Sequence, residues 1–398
     1  MKNRFGVSLS VLALGWAAAW STSILSAADE KPAPAAAKTP APAASEKPAP
    51  AAAPSPEQKE VSRLFSEWKT LLADLRQLQL KHSTASAEER KTIENRYQEL
   101  VEQGAGLRTR LIEAAEKAYA AAPHADPELE LLLFDATKHE LNHDRYEHAS
   151  TLAELLLKNQ CKQPGVDCMA GVAAFALDRF NDAETHLNQA VAKNSINDKG
   201  KEFLAELAVY KTAGPKEEQI RQAEKKADDL PRVLLKTSKG DIELELFENE
   251  APNAVANFIS LVENKFYDGL SFHRVLGGFM AQGGCPKGDG SGGPGYTIKC
   301  ECYQPNARLH FRGSLSMAHA GRDTGGSQFF ITFLPTGQLN GRHTCFGRVV
   351  KGLDVLEKLQ RRDPEHLLPQ DSRDTILEAK VLRKRPHPYV PVKVADEK

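Results

Sequence analysis

The chain has 398 residues, of which 26% are charged and 41% are hydrophobic, and its formal net charge is −1. This length exceeds what a single core of ordinary size fills, so we expect two or three structural units. Because 52 Lys and Arg residues are balanced by 53 Asp and Glu residues, the chain lacks the basic excess that neutralises phosphates, which argues against nucleic-acid binding. Six cysteines are too few for a disulfide scaffold in a chain this long.

Residues 1–28 have the composition of an export signal. A basic start precedes an apolar stretch from Val7 to Ala19, and Ser26 and Ala28 supply small residues at the last positions before a cleavage site. We therefore expect an exported protein, either periplasmic or secreted. The open alternative is an uncleaved segment that anchors the chain in a membrane. Beyond this segment no apolar run approaches the ~20 residues of a membrane span.

Two changes of composition follow the signal. Residues 29–56 consist almost entirely of Ala, Pro, Lys, Ser and Glu, which bury too little apolar surface to order the chain, so we predict a disordered linker. Over residues 57–228 apolar side chains recur at three- and four-residue steps, as between Val61 and Leu78, which predicts an all-helical domain. Gly104 and Gly106 predict an interruption in one of its long helices.

A repeat lies within this helical domain. The segment Asp144–Ala149 is echoed by Asp178–Ala183, so that Phe180 lies 34 residues after Tyr146. This period, with small residues where helices cross, resembles the tetratricopeptide repeat, which implies paired helices and a surface that binds a partner or client protein. The alternative is a plain α-helical bundle that repeats once.

The cysteines leave their pairing open. Cys161 and Cys168 bracket a Pro-Gly turn, which in an exported protein fits either a local disulfide bond or two free thiols. A zinc site is disfavoured because no paired Cys or His residues stand at ligand spacing, and we expect no metal. Cys285, Cys300 and Cys302 form a second group, for which a disulfide bond or redox sensitivity is also open.

At Pro231 the pattern changes from helix to strand. Two strands, Val233–Thr237 and Ile242–Phe247, flank a Ser-Lys-Gly-Asp turn, and short strands with glycine-rich loops follow. Few helices among many short strands predict a closed β-barrel with capping helices over residues 231–384, with residues 385–398 as a tail.

Three motifs in this region carry the chemical signal. They are Phe272–Val275 with the following Gly278–Gly284, then Gly313–Ala318, then Gly325–Thr332. In their order and separation they resemble the cyclophilin-type peptidyl-prolyl cis-trans isomerases, and the resemblance extends from about Arg232 to Leu382. It implies the cyclophilin fold, isomerisation of X–Pro bonds in proline-containing polypeptides, and no cofactor.

The resemblance also implies which residues form the site. The essential arginine of the family falls on Arg274. Its proline pocket falls on four apolar residues: Phe279, Met280, Phe330 and Leu339. The residues that line its peptide groove are Gln282, Ala318, His319, Gln328 and His343. Two positions depart from the family pattern, since Gln338 stands where tryptophan is frequent and His319 where asparagine is frequent.

The chemistry of an arginine suits this reaction. Rotation about an X–Pro bond is slow because amide resonance sets a barrier of ~18–20 kcal/mol, and since no bond breaks, neither a nucleophile nor a metal is required. Stabilising the twisted amide lowers that barrier. In the twisted form the proline nitrogen regains its lone pair and accepts a hydrogen bond, which the rigidly placed donors of Arg274 can supply.

We therefore interpret the chain as an exported isomerase that assists protein folding as a chaperone, with a helical domain that binds a partner or client. Two alternatives stay open. One is a scaffold that grips proline-containing segments with little or no turnover. The other is a helical half that is merely structural.

Overall fold

The computed structural model describes residues 55–366 and 373–394. The expected signal, residues 1–28, and nearly all of the expected linker, residues 29–56, lie outside this part, as does the end of the tail. The chain divides into two compact units, the first ending at Leu133. Within the described residues no helix is both long and apolar enough to cross a membrane.

The first unit is built on two long helices, α1 (Pro56–Thr84) and α2 (Ala87–Ala121). The Ser86 hydroxyl caps the start of α2 inside a capping box, which ends one helix and starts the next within two residues. The expected interruption is wrong, because α2 runs unbroken through Gly104. A Cβ at Gly104 would lie 3.3 Å from a methyl group of Leu71, so the glycine serves close packing between the helices.

The second unit begins within α3 and continues through helices joined by short turns. Their bounds are α3 Pro127–Asn142, α4 Tyr146–Lys158, α5 Val166–Ala176, α6 Phe180–Ala192 and α7 Asp198–Ala227. Asp144 and Asp178 precede α4 and α6 with φ angles of 61° and 60°, so the sequence repeat is also a repeat of backbone conformation. The tetratricopeptide assignment itself stays a prediction.

The thiols whose pairing the sequence leaves open form no disulfide bond in the described part of the chain. Cys168 donates to Asn197 Oδ1 at 3.4 Å. Cys285 is buried and its Sγ accepts the Gly292 N–H at 3.2 Å. The sulfurs of Cys168 and Cys285 thus already take part in hydrogen bonds.

The rest of the second unit is an eight-stranded antiparallel sheet with the order β3-β4-β6-β5-β7-β2-β1-β8. The strands are β1 Arg232–Thr237, β2 Gly240–Leu246, β3 Arg274–Leu276, β4 Met280–Gly283, β5 Ser314–Met317, β6 Phe329–Thr332, β7 Cys345–Lys351 and β8 Ile376–Arg383. Two helices complete it, α8 Pro252–Glu263 beside β8 and α9 Leu353–Lys358 beside β2.

The two edges of this sheet approach each other where the edge strands β3 and β8 begin. Ile376 N–H donates to Leu270 O at 2.8 Å, and Phe272 N–H donates to Asp374 O at 2.9 Å. Because these bonds join the entry to β3 with the entry to β8, the sheet must curl on itself. The fold is thus helices followed by a curled antiparallel sheet, and closure into a barrel stays a prediction.

The helices of the second unit share one hydrophobic core with the sheet. Phe175 stacks on Phe203 with ring centroids 4.2 Å apart, and Tyr210 meets Phe311 edge-on at 5.3 Å. Phe311 belongs to the segment that leads into β5. Burial of aromatic rings across this boundary stabilises helices and sheet as one body.

A buried cluster of ion pairs joins α7 to the same side of the sheet. Arg308 donates to Glu217 at 2.7 and 3.0 Å and to Glu224 at 2.5 Å. Arg348 pairs with Glu224 at 2.9 Å and with Glu245 of β2 at 2.6 Å. Burial alone would raise the pKa of Glu217, but the bonds from Arg308 outweigh it and lower the pKa.

Candidate active site

A row of side chains crosses four neighbouring strands. Arg274 of β3 pairs with Gln282 of β4, Gln282 pairs with Phe330 of β6, and Phe330 pairs with Ser316 of β5. Directly paired residues in antiparallel strands point to the same face of a sheet. The residues that alternate with them are fully buried in the core and include Val275, Ala281, Leu315, Phe329 and Ile331. The row therefore lies on the face away from that core.

Arg274 stands at the end of this row. Its side chain is half-buried, and its guanidinium carbon lies 5.9 Å from the centroid of the Phe279 ring. Within the described residues no carboxylate forms an ion pair with it. An arginine held in place without a carboxylate keeps its N–H donors available for another acceptor.

The four residues expected to form the proline pocket occupy adjoining positions. Phe279 and Met280 enter β4, and Phe279 O accepts the Phe333 N–H at 2.9 Å. Met280 and Phe330 are only 2% and 4% exposed, whereas Phe279 and Leu339 are half-buried and border the surface. Leu339 lies in a single 3-10 turn, Gly337–Leu339. The apolar surface is therefore deep at two residues and open at the other two.

Two histidines extend this surface. The ring of His343 meets Phe330 edge-on at 5.4 Å and stacks on His319 at 4.1 Å. His343 Nδ1 lies 3.0 Å from Met317 O, and His319 Nε2 lies 2.8 Å from Arg342 O. Burial lowers the pKa of His343, which keeps this ring neutral at pH 7.

The polar side of the row is a chain of hydrogen bonds. Gln282 Nε2 donates to Gln328 Oε1 at 3.0 Å. Gln328 Nε2 in turn donates to the carbonyl oxygens of Gly290 and Gly292 at 2.7 and 2.8 Å. Ala318 N–H donates to Gln328 O at 3.0 Å. The glutamines thereby hold a glycine-rich loop beside the groove.

The structure thus brings all ten expected site residues to one end of the sheet, and their roles in binding and catalysis stay predictions. One neighbour was missed. His310 stacks on Phe330 with centroids 6.0 Å apart, and its burial lowers its pKa to about 4. It lies outside the three motifs, and no sequence pattern marked it.

Comparison with known proteins assigns this part of the chain to a family. The sequence model of the family described as "Cyclophilin type peptidyl-prolyl cis-trans isomerase/CLD" matches residues 232–381. A peptidyl-prolyl cis-trans isomerase of Helicobacter pylori is 53% identical over 150 residues, which are 36% of this chain and 91% of that protein. The chain belongs to the cyclophilin-type peptidyl-prolyl cis-trans isomerases.

Two further proteins of this type are similar to part of the chain. Peptidyl-prolyl cis-trans isomerase B of Bacillus subtilis is 57% identical over 122 residues, which are 31% of this chain and 85% of that protein. A crystal structure of a Cryptosporidium parvum enzyme of this type was solved in the presence of the dipeptide Ala-Pro. Its sequence is 34% identical, the match covers 38% of this chain and 98% of the Cryptosporidium chain, and the TM-score is 0.35. The family model and the two bacterial relatives confirm the expected family and isomerase activity.

Proposed function

We propose that this isomerase acts on exported proline-containing polypeptides and assists their folding, with Arg274 as its catalytic residue. The observation that carries the assignment of Arg274 is its setting. It is half-buried, without an ion pair in the described part of the chain, and directed to the ring of Phe279 at the mouth of the apolar pocket. An arginine whose charge is compensated by carboxylates has few N–H donors left for a substrate, whereas Arg274 keeps its donors.

In the proposed mechanism the pocket holds the proline ring while the preceding carbonyl group turns. Phe279 and Leu339 contact the ring from the open side, and Met280 and Phe330 form the floor. Because the pocket fixes the proline ring, rotation about the X–Pro bond turns only the preceding carbonyl group relative to a ring that stays in place. The side chain of Gln282, anchored by Gln328, holds the peptide backbone beside it.

The guanidinium of Arg274 then acts on the proline nitrogen. As the amide twists, the nitrogen becomes pyramidal and accepts an N–H from the guanidinium, an interaction that the planar amide does not offer. The apolar surroundings strengthen this hydrogen bond because little water competes for it. No proton is transferred, so the rate should follow pH only through the integrity of the pocket.

The proposed role of the helices is to bind a partner or client. This role is supported by the 34-residue repeat, which has equivalent turns at Asp144 and Asp178. Stacked helix pairs of this period form extended binding surfaces. The proposed export rests on the composition of residues 1–28. Mass spectrometry of the protein from its native source tests the export proposal: a chain that begins near Asp29 supports it, and a chain that still begins at Met1 contradicts cleavage.

The proposal for Arg274 is tested with a proline-containing tetrapeptide. Arg274→Ala should lower kcat/KM by about 10²–10³-fold, as the loss of one transition-state donor does. Arg322→Ala is the matched control, since that side chain is 74% exposed, and its activity should equal that of the wild type. Equal activity of Arg274→Ala and the control contradicts the catalytic role.

A further inference from the structure

The turn between β3 and β4 is held from outside the sheet. It contains Gly277 and Gly278, and Phe279 follows directly. The Gly278 N–H donates to Oδ1 of Asp144 at 2.6 Å, across 134 residues of sequence. Asp144 is only 2% exposed and lies in the turn between α3 and α4. A residue from a turn between two helices therefore binds the backbone immediately before Phe279, whose half-buried ring belongs to the proline pocket.

The carboxylate of Asp144 is fixed in its turn. The hydroxyl of Tyr146 donates to Oδ1 at 2.6 Å, and Arg361 donates to Oδ2 at 2.5 Å. The same guanidinium lies 4.6 Å from the centroid of the Phe333 ring, and Phe333 N–H is the group that donates to Phe279 O. The Gly278 N–H thus binds the carboxylate of Asp144 directly. The carbonyl group of Phe279 is linked to the same carboxylate through Phe333 and Arg361.

Helix α7 contacts residues that lie next to Phe330 and Leu339 of the pocket. The hydroxyl of Tyr210 donates to His310 O at 2.8 Å, and the ring of His310 supports Phe330. Asn340 Oδ1 accepts the His310 N–H at 2.9 Å, which links this support to the turn that carries Leu339. The first residue of that turn, Gly337, donates its N–H to Glu206 at 3.3 Å.

We propose that the helices from α3 to α7 position the proline pocket, and that Asp144 is the positioning residue for Phe279. A two-glycine turn has many accessible backbone conformations, and a hydrogen bond to a buried carboxylate restricts it to one. Loss of this hydrogen bond lets the Phe279 ring move out of the pocket wall. The move weakens binding of the proline ring more than it slows the step that Arg274 catalyses. The inference rests on the proposed function only where it places the proline ring on Phe279.

The repeat supplies a matched control. Asp178 is the counterpart of Asp144, with the same left-handed backbone, but its Oδ1 accepts the Arg312 N–H at 3.5 Å and does not contact the β3–β4 turn. Glycine tolerates positive φ without strain. Asp144→Gly and Asp178→Gly therefore remove equivalent side chains without straining either turn, and only the first removes the contact with Gly278.

The experiment compares the full-length wild type with both glycine variants. The first measurement is amide hydrogen exchange at Gly278, which should become about tenfold faster or more in Asp144→Gly and stay unchanged in Asp178→Gly. The second is the kinetics on a proline-containing tetrapeptide, where Asp144→Gly should raise KM by about tenfold with a smaller fall in kcat. Equal behaviour of the two variants in both measurements overturns the proposal.

A third variant covers the case in which Asp144→Gly does not fold. Asp144→Asn keeps an acceptor oxygen and tolerates the left-handed backbone, but it loses the charge, so exchange at Gly278 and KM should each rise about two- to fivefold. Wild-type values in Asp144→Asn, with no folded glycine variant, also overturn the proposal. The exchange measurement needs no substrate, so it still reports on the hydrogen bond between Asp144 and Gly278 if Arg274→Ala retains full activity and the proposed catalytic role fails.

Discussion

Two arginines of the sheet region have opposite surroundings. Arg308 has a side chain that is only 3% exposed, and its donors are taken up by Glu217 and Glu224. Arg274 is half-buried and faces an aromatic ring, with no ion pair in the described part of the chain. The same residue type thus fastens helices to the sheet at one place and presents unused donors at the other. The two arginines differ in whether carboxylates surround them. We therefore expect Arg308 to contribute to stability and Arg274 to contribute to activity.

The largest effect on stability is expected at the Arg308 cluster. Arg308→Ala should lower the free energy of unfolding by about 3–5 kcal/mol, because the buried carboxylates of Glu217 and Glu224 each lose one of their two cations and keep only Arg221 and Arg348. Denaturant unfolding of the full chain measures this change. The exposed Arg322→Ala serves as the control and should stay within about 0.5 kcal/mol of the wild type. A loss below about 1 kcal/mol in Arg308→Ala would show that the cluster does not hold the helices.

The next effect is a dependence of stability on pH at the back of the pocket. Burial lowers the pKa of His310 from 6.5 to about 4. Between these pH values the unfolded chain binds a proton at His310 that the folded chain does not bind. The contribution of neutral His310 to the free energy of unfolding is therefore fully present above pH 6.5 and is lost as the pH drops towards 4. The loss from this group should approach about 3 kcal/mol.

His310→Gln isolates this contribution because it removes the titrating ring and keeps a polar side chain. Unfolding free energies at pH 7 and pH 4 should differ less in this variant than in the wild type, by about 2–3 kcal/mol. Identical differences in the two proteins contradict the assignment of the pH dependence to His310.

A smaller effect is expected at the contact between α7 and the pocket. Tyr210→Phe removes the hydroxyl that donates to His310 O and leaves the aromatic packing, so the free energy of unfolding should fall by about 1 kcal/mol. Tyr303→Phe is the control, since Tyr303 is 52% exposed. A variant as stable as this control indicates that the hydroxyl contributes nothing beyond its bond to water.

The smallest effect on stability completes the contrast with Arg308. Arg274→Ala should change the free energy of unfolding by no more than about 0.5 kcal/mol, because no buried carboxylate loses its partner. The same variant carries the large loss of turnover expected above. Denaturation and activity measured on one preparation test both halves, and a loss of several kcal/mol would show that Arg274 is a structural residue.

Much of this protein follows from local sequence. The helices are visible in the three- and four-residue spacing of apolar residues, and the equivalent turns at Asp144 and Asp178 are visible as a repeat. The three motifs alone indicate the isomerase family, because a motif is a set of residue types at fixed spacing along one stretch of chain. The order of the strands in the sheet could not be obtained in this way, since sheet neighbours are distant in sequence.

What only the tertiary structure decided is which polar groups already have partners. The carboxylates that saturate Arg308 lie 91 and 84 residues away, and the carboxylate that holds Gly278 lies 134 residues away. No local pattern marks such pairs, because each is made by chain segments that meet only when the shared core forms. The sequence by itself determined which side chains could do chemistry. The tertiary structure decides that Arg308 has a structural role and that Arg274 keeps its N–H donors available. A guanidinium that is buried with carboxylates is stabilised by them and has no donors left for a substrate.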